Sequence, residues 1–225
     1  MLLTRWSDHP NARALLDPGD VETLFNAPRD QLDDDILIKG SVNHYFQVSS
    51  YGAMSIEAVV TDDWITADNS ELFYSQQGDR GSGTGIQGAF QNALEQLDSE
   101  GFDFTSVDQD GDGDIDLTIL FHSGYDGVTD NLDCENNDRP GSDRIRSHAR
   151  SAAFESNFRS SESGIFLGPY VVASAYRGAC NGNIARLGVL VHEIFHPLGL
   201  PDFYDRDAFA LNALGGISNF DIMVS

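Results

Sequence analysis

Residues 189–205 read VLVHEIFHPLGLPDFYD, and within them His192, Glu193 and His196 form the pattern HExxH. On an α-helix, positions i and i+4 share a face one turn apart, so the two imidazoles converge on one ion. Glu193 follows the first histidine, which brings its carboxylate near the ion's open position without making it a ligand. From there it can take a proton from a metal-activated water and pass it to a leaving amine, the arrangement used by zinc peptidases. The alternative is a pair of helical histidines with a structural role only.

A catalytic zinc ion takes three protein ligands and leaves a fourth position open. After His196 the chain reads PLGLPD, which extends the pattern to HExxHxxGxxD with Gly199 and Asp202. Gly199 can adopt a positive φ and end the helix, so that the chain doubles back and Asp202 reaches the same ion. Pro197 is the odd residue, because it has no N–H to give and an interior proline costs a helix ~3 kcal/mol. It also restrains the backbone of His196 before it.

A second chemical cluster is DQDGDGDID, residues 108–116. It places Asp108, Asp110, Asp112, Asp114 and Asp116 at positions 1, 3, 5, 7 and 9 of a loop whose sixth residue is Gly113. These are the first nine positions of a calcium loop of the EF-hand kind, in which oxygen ligands wrap a hard cation. Ile119 replaces the glutamate of the twelfth position. Carboxylates packed so densely repel one another unless a cation sits among them, so a structural calcium ion is expected at the join between a helix over 83–99 and a strand over 115–121. A solvated acidic turn is the rival reading.

The chain's 225 residues carry 13 Lys and Arg against 36 Asp and Glu, a formal net charge of -23. Such a surface repels phosphate backbones, which argues against nucleic acid as a partner. No apolar run approaches the ~20 residues of a membrane span, and the opening MLLTRWSDHP is not a signal peptide. Cys134 and Cys180 lie in loop-like sequence. An oxidising compartment would let them pair; otherwise they are two free thiols.

The elements that must position these residues follow from periodicity. MLLTRW predicts a strand, 42–49 a short helix, and MSIEAVV (54–60) a second strand, with the segment up to about residue 36 left as polar loop. Ile86, Phe90, Ala93, Leu94 and Leu97 lie on one face of the helix over 83–99, which ends at Gly101. IDLTILF (115–121) and YVVASAY (170–176) predict buried strands, 122–165 long surface loops, and 184–198 the metal-binding helix. The pattern reads as one α+β domain over 1–225, divided by a cleft. His122 and His148 are the remaining histidines to watch as a fourth ligand of a closed, structural zinc site; each is expected to be a loop or core residue instead.

HExxHxxG followed by an acidic residue resembles the metzincin clan, and HEIFHPLGLPDFYD resembles the immune inhibitor A family of secreted zinc peptidases. VDQDGDGDIDLTILFHSG (107–124), DRIRSHAR (143–150) and NFDIM (219–223) resemble further segments of that family, in its order, from about Ser50 to the end of the chain. The resemblance implies a zincin fold with a mixed sheet, a backing helix and an active-site helix. It implies an upper lobe of about 1–199 and a small lower lobe of about 200–225, cut short after the methionine turn. It implies zinc on His192, His196 and Asp202, Glu193 as general base, Met223 beneath the metal, structural calcium, protein or peptide substrates and an extracellular location. The family usually carries another residue at the position of Pro197. The competing reading is a calcium-stabilised binding or adhesion module whose peptidase site is impaired.

Overall fold

A computed structural model of the chain describes residues 1–9, 15–28, 40–82, 85–128, 132–150, 158–178, 180, 183–203 and 222–223. Its centre is a six-stranded mixed sheet in the order β2-β1-β3-β5-β4, with β6 paired to β5. The strands are β1 (Leu2–Arg5), β2 (Ile65–Thr66), β3 (Thr118–Tyr125), β4 (His148–Arg150), β5 (Tyr170–Arg177) and β6 (Asn183–Ile184). β2, β1, β3 and β5 run parallel, whereas β4 and β6 are antiparallel to β5.

All eight residues of β3 are buried, as parallel strands covered on both faces require. Alternation divides them: Leu2, Leu120, Tyr170 and Val172 face one apolar cluster, and Leu3, Ile119, Phe121, Val171 and Ala173 face the other. The first cluster is closed by α4 (Gly85–Ser99), through Ile86, Ala89, Phe90, Ala93 and Leu94. The second is closed by α1 (Pro18–Asn26), α2 (Val42–Ser49) and α5 (Leu187–Phe195), the helix that carries the histidine pair. The short helix α3 (Glu71–Ser75) sits beside α4. The structure is thus the mixed-sheet α+β arrangement expected, with helices on both faces.

Several expected elements shift for physical reasons. Residues 54–60 are not a strand, although Met54, Ile56, Ala58 and Val60 do alternate towards the second cluster. Side-chain amides take the place of a neighbouring strand: Asn43 accepts from the Ile56 N–H at 3.2 Å, and Asn26 both accepts from and donates to Ala58 at 2.8 Å. The edge of the sheet is formed instead by Ile65–Thr66. The polar stretch before residue 36 contains α1, begun by the Asp17 side chain capping Gly19 N and by Pro18 in the first turn. β3 runs four residues beyond 121, so His122 is buried strand, not loop, and His148 is buried in β4. Cys134 and Cys180 form a disulfide with a Cα–Cα separation of 5.6 Å. The lower lobe assigned to about 200–225 lies almost entirely outside the described residues.

His148 shows how burial couples this fold to pH. Its Nδ1–H donates to the Arg146 carbonyl at 2.9 Å. Burial, aided by the charges of Arg146 and Arg150, pushes its pKa down from 6.5 to about 4. A base depressed in the folded state contributes stability above its unfolded pKa that is lost on acidification. His148→Gln is therefore expected to flatten the loss of thermal stability between pH 6.5 and 4, measured by calorimetry.

Candidate metal centre

Helix α5 is apolar on the face that meets the sheet, where Leu190, Val191 and Ile194 are buried in the second cluster. This packing leaves His192 and His196 on another face, with ring centroids 4.9 Å apart and planes nearly perpendicular. The regular helix ends at Phe195, and His196 still has helical angles (φ -62, ψ -51). Gly199 follows with φ 93, its N–H bonded to His196 O at 2.9 Å while the Leu200 N–H bonds to Phe195 O at 3.1 Å. These two bonds form a Schellman turn, the expected stop at Gly199. Pro197 sits inside that turn, and His196 keeps its helical backbone despite the proline's bias against it.

The turn also orients an imidazole. The Leu200 carbonyl lies 2.8 Å from His196 Nδ1, and the Ile222 carbonyl 2.9 Å from His192 Nδ1. A carbonyl can only accept, so both Nδ1 atoms carry protons and, in the neutral rings, both Nε2 atoms present lone pairs. Those lone pairs face a common point: Asp202 Oδ1 is 3.3 Å from His192 Nε2 and 3.3 Å from His196 Nε2. Three acceptor atoms so placed repel one another without a cation or a proton between them. A tetrahedral ion with ligand distances of ~2.0–2.1 Å would hold its donors roughly 3.3 Å apart, so the residues present fit a zinc-sized ion.

Glu193 stands beside this point, its nearest oxygen and the two imidazoles lying within 4.8 Å of one another. Its side chain is buried, and burial together with the negative charges of Asp126 and Asp202 raises its pKa from 4.5 to about 8, against the opposing charge of Arg146. Met223 is 1% exposed, and its carbonyl accepts from the Phe203 N–H at 3.0 Å, tying 222–223 to the segment that bears Asp202. His122 and His148 are engaged elsewhere: His122 Nδ1 faces the Trp6 indole N–H at 3.3 Å and the Gly124 N–H at 3.1 Å. Sequence reasoning missed the two orienting carbonyls and the charges of Asp126 and Arg146 near Glu193. Main-chain carbonyls carry no signature in sequence, and the two charges are distant from the helix along the chain.

At the acidic loop, Gly111 and Gly113 have φ 73 and 92. Asp108 accepts from Gly111 N at 2.8 Å and Gly113 N at 3.2 Å, and Asp112 from Asp114 N at 2.9 Å. Oxygens of Asp108, Asp110 and Asp112 lie within 4.8 Å of one another. Asp116 turns back to accept from Gln109 N at 3.2 Å. Burial and the neighbouring carboxylates raise the pKa of Asp114. The loop follows a 3-10 turn at Phe104–Val107 instead of joining α4 directly, and it is anchored by the Ile115 N–H to Phe166 O at 2.9 Å.

The family described as the catalytic domain of immune inhibitor A peptidase M6 matches residues 24–223. The chain belongs to this family. It is accordingly a metallopeptidase domain of the M6 kind, with proteins as its substrates. Comparison with curated proteins finds no match. No helix among the described residues of this M6 domain is long and apolar enough to cross a membrane.

The raised pKa of Glu193 has a measurable consequence in metal-free protein. An acid whose folded pKa exceeds its unfolded value contributes stability that is complete below the unfolded pKa and is lost as pH rises through the folded one. In chelator-treated protein, raising the pH from 4.5 to about 8 is expected to lower thermal stability, and Glu193→Gln to remove that part of the slope.

Proposed function

We propose that this M6 domain is a zinc endopeptidase in which His192, His196 and Asp202 hold the ion and Glu193 is the general base. The observation that supports it best is the convergence of two proton-free Nε2 atoms and Asp202 Oδ1 at 3.3 Å. When bound, zinc supplies Lewis acidity towards the scissile carbonyl and towards a water molecule. The rest is done by the chain. The Ile222 and Leu200 carbonyls hold the imidazoles in the tautomer that can bind metal. Glu193, whose carboxylate lies beside the two imidazoles, takes a proton from the attacking water and delivers it to the leaving amine. Met223, packed out of solvent beside Ile222, supports the floor of the site. On this reading the substrate lies in a cleft between an upper lobe of about 1–199 and a lower lobe of about 200–225, the zincin arrangement of the metzincins.

The same reading assigns calcium to the aspartate loop, where Gly111 and Gly113 allow the chain to curl around its own carboxylates. Its role would be structural, joining the 3-10 turn to β3. The Cys134–Cys180 disulfide suits an extracellular location, since such bonds persist in oxidising compartments.

Glu193→Gln is expected to retain one zinc per chain while lowering casein cleavage by at least ~10²-fold. Asp202→Ala is expected to lose the metal, as read by atomic absorption. Unimpaired cleavage in the first variant, or full metal content in the second, would overturn the assignments; wild-type protein without chelator-sensitive cleavage would favour the non-catalytic binding module. For the loop, added calcium is expected to raise the melting temperature of the wild type and not of Asp108→Asn/Asp112→Asn. Equal shifts would remove calcium from the account.

A further inference from the structure

A cavity of about 500 Å³ lies apart from the metal-binding residues, and none of the described residues that line it belongs to α5 or to the turn bearing Asp202. Protein interiors tolerate few voids larger than a water molecule, whereas sites for small organic ligands span roughly 300–1,000 Å³. Leu94 and Leu97 of α4, Phe104 and Val107 of the 3-10 turn, and Trp64 and Ile65 at the entry to β2 form much of its wall. Leu94, Phe104 and Ile65 are buried in the first apolar cluster, with Leu97 and Val107 packed against it, while Trp64 packs against the second. The cavity therefore lies where the two clusters meet. Trp64 is held in place there, its indole N–H donating to the Leu16 carbonyl at 2.8 Å.

Two features of the wall describe what it would accept. Thr118, the first residue of β3, also lines the cavity and is 4% exposed. Alternation along β3 puts its side chain on the side of Leu120, which faces α4, and its hydroxyl has no hydrogen-bond partner among the described residues. The second feature is charge. Asp62, Asp63 and Glu100 border the cavity and are exposed, and no Lys, Arg or His is among the described residues that line it. Helix α4 ends beside it at Ser99 with no basic residue in its last turn, so the negative end of the helix dipole adds to the three carboxylates. The Met1 amino group at the wall donates to the Val59 carbonyl, and burial lowers its pKa to about 5, so it brings no counter-charge at neutral pH. An anionic guest would be repelled at this border, and a cationic head group would be attracted.

We propose that this cavity is a binding site for a small organic amine, its apolar body lodged between α4 and the 3-10 turn and its ammonium group at Asp62, Asp63 and Glu100. The apolar wall supplies affinity without regard to charge, and the carboxylates select the head group. The site is independent of the peptidase reading, since it shares no residue with the metal centre.

The test titrates the full chain with decylamine, decanol and decanoate, three probes that share an apolar body and differ in head group, and follows binding by calorimetry and by Trp64 fluorescence. Decylamine is expected to bind at one molecule per chain and about tenfold more tightly than decanoate at low ionic strength, with decanol between them and the difference shrinking as salt is added. Asp62→Asn/Asp63→Asn is expected to weaken decylamine about threefold and leave decanol unchanged. Leu97→Trp, which places an indole in the cavity, is expected to weaken all three probes about tenfold and to leave zinc content unchanged. Decanoate binding as tightly as decylamine, or decylamine binding equally well to Leu97→Trp, would overturn the proposal; the second result would mean that the amine is attracted only to the acidic surface at large. Should Leu97→Trp not fold, Val107→Phe fills the same space from the 3-10 turn, and undiminished binding there overturns the proposal as well. No step of the measurement needs cleavage, so its outcome is separate from that of the casein assay.

Discussion

The site depends on two hydrogen bonds from imidazole Nδ1 to main-chain carbonyls, at Leu200 and Ile222. They decide the tautomer, and the tautomer decides whether the Nε2 atoms present lone pairs or protons to Asp202. Neither carbonyl belongs to α5. Leu200 is brought round by the Gly199 turn, and Ile222 comes from 30 residues beyond His192 and is held beside Phe203 through Met223. The donor set therefore exists only when the helix, its turn and the end of the chain are assembled together. An ion held by this donor set would therefore be linked to the folding of the region, because it would stabilise the assembled arrangement by mass action.

The sheet supplies the rigid frame for that assembly. Its two central strands are buried on both faces, so they fix where α5 lies on one side and α4 on the other. Asp126 lies just past the end of β3, and Arg146 lies two residues before the antiparallel strand β4. Burial is the largest cause of the raised Glu193 pKa, with Asp126 and Asp202 adding to it and Arg146 opposing it. In the metal-free chain, burial and the two acidic charges favour the protonated form of this carboxyl group, and a bound cation would act in the opposite direction.

Parts of this arrangement were legible in sequence because the chemistry is local. His192, Glu193, His196, Gly199 and Asp202 lie within one helix and one turn, so spacing alone predicts which atoms meet. The helix over 83–99 and the strand at 170–176 are strongly periodic and are found within a few residues of their expected limits. The misses share a different cause. Residues 54–60 have the alternation of a strand, but Asn26 and Asn43 hold their backbone where a neighbouring strand would have been required. HSGY at 122–125 reads as the start of a loop because His and Ser are polar, yet Trp6 and His9 satisfy them inside the sheet. Long-range polar partners of this kind, 114 to 117 residues apart, leave no pattern in a local window.

Pro197 joins the two scales. Its lack of an N–H deprives the Glu193 carbonyl of a donor, a defect that would be costly within a long helix. Here the helix is already closing: the Phe195 and His196 carbonyls accept from the Leu200 and Gly199 N–H groups, and the regular element ends before the proline. The fixed φ of proline then restricts the unfolded chain at a position where the folded chain needs little freedom. The residue it stiffens leads directly to Leu200, whose carbonyl orients His196. What reads in sequence as a helix breaker beside a histidine is, in the folded chain, part of the turn whose Leu200 carbonyl accepts from His196 Nδ1.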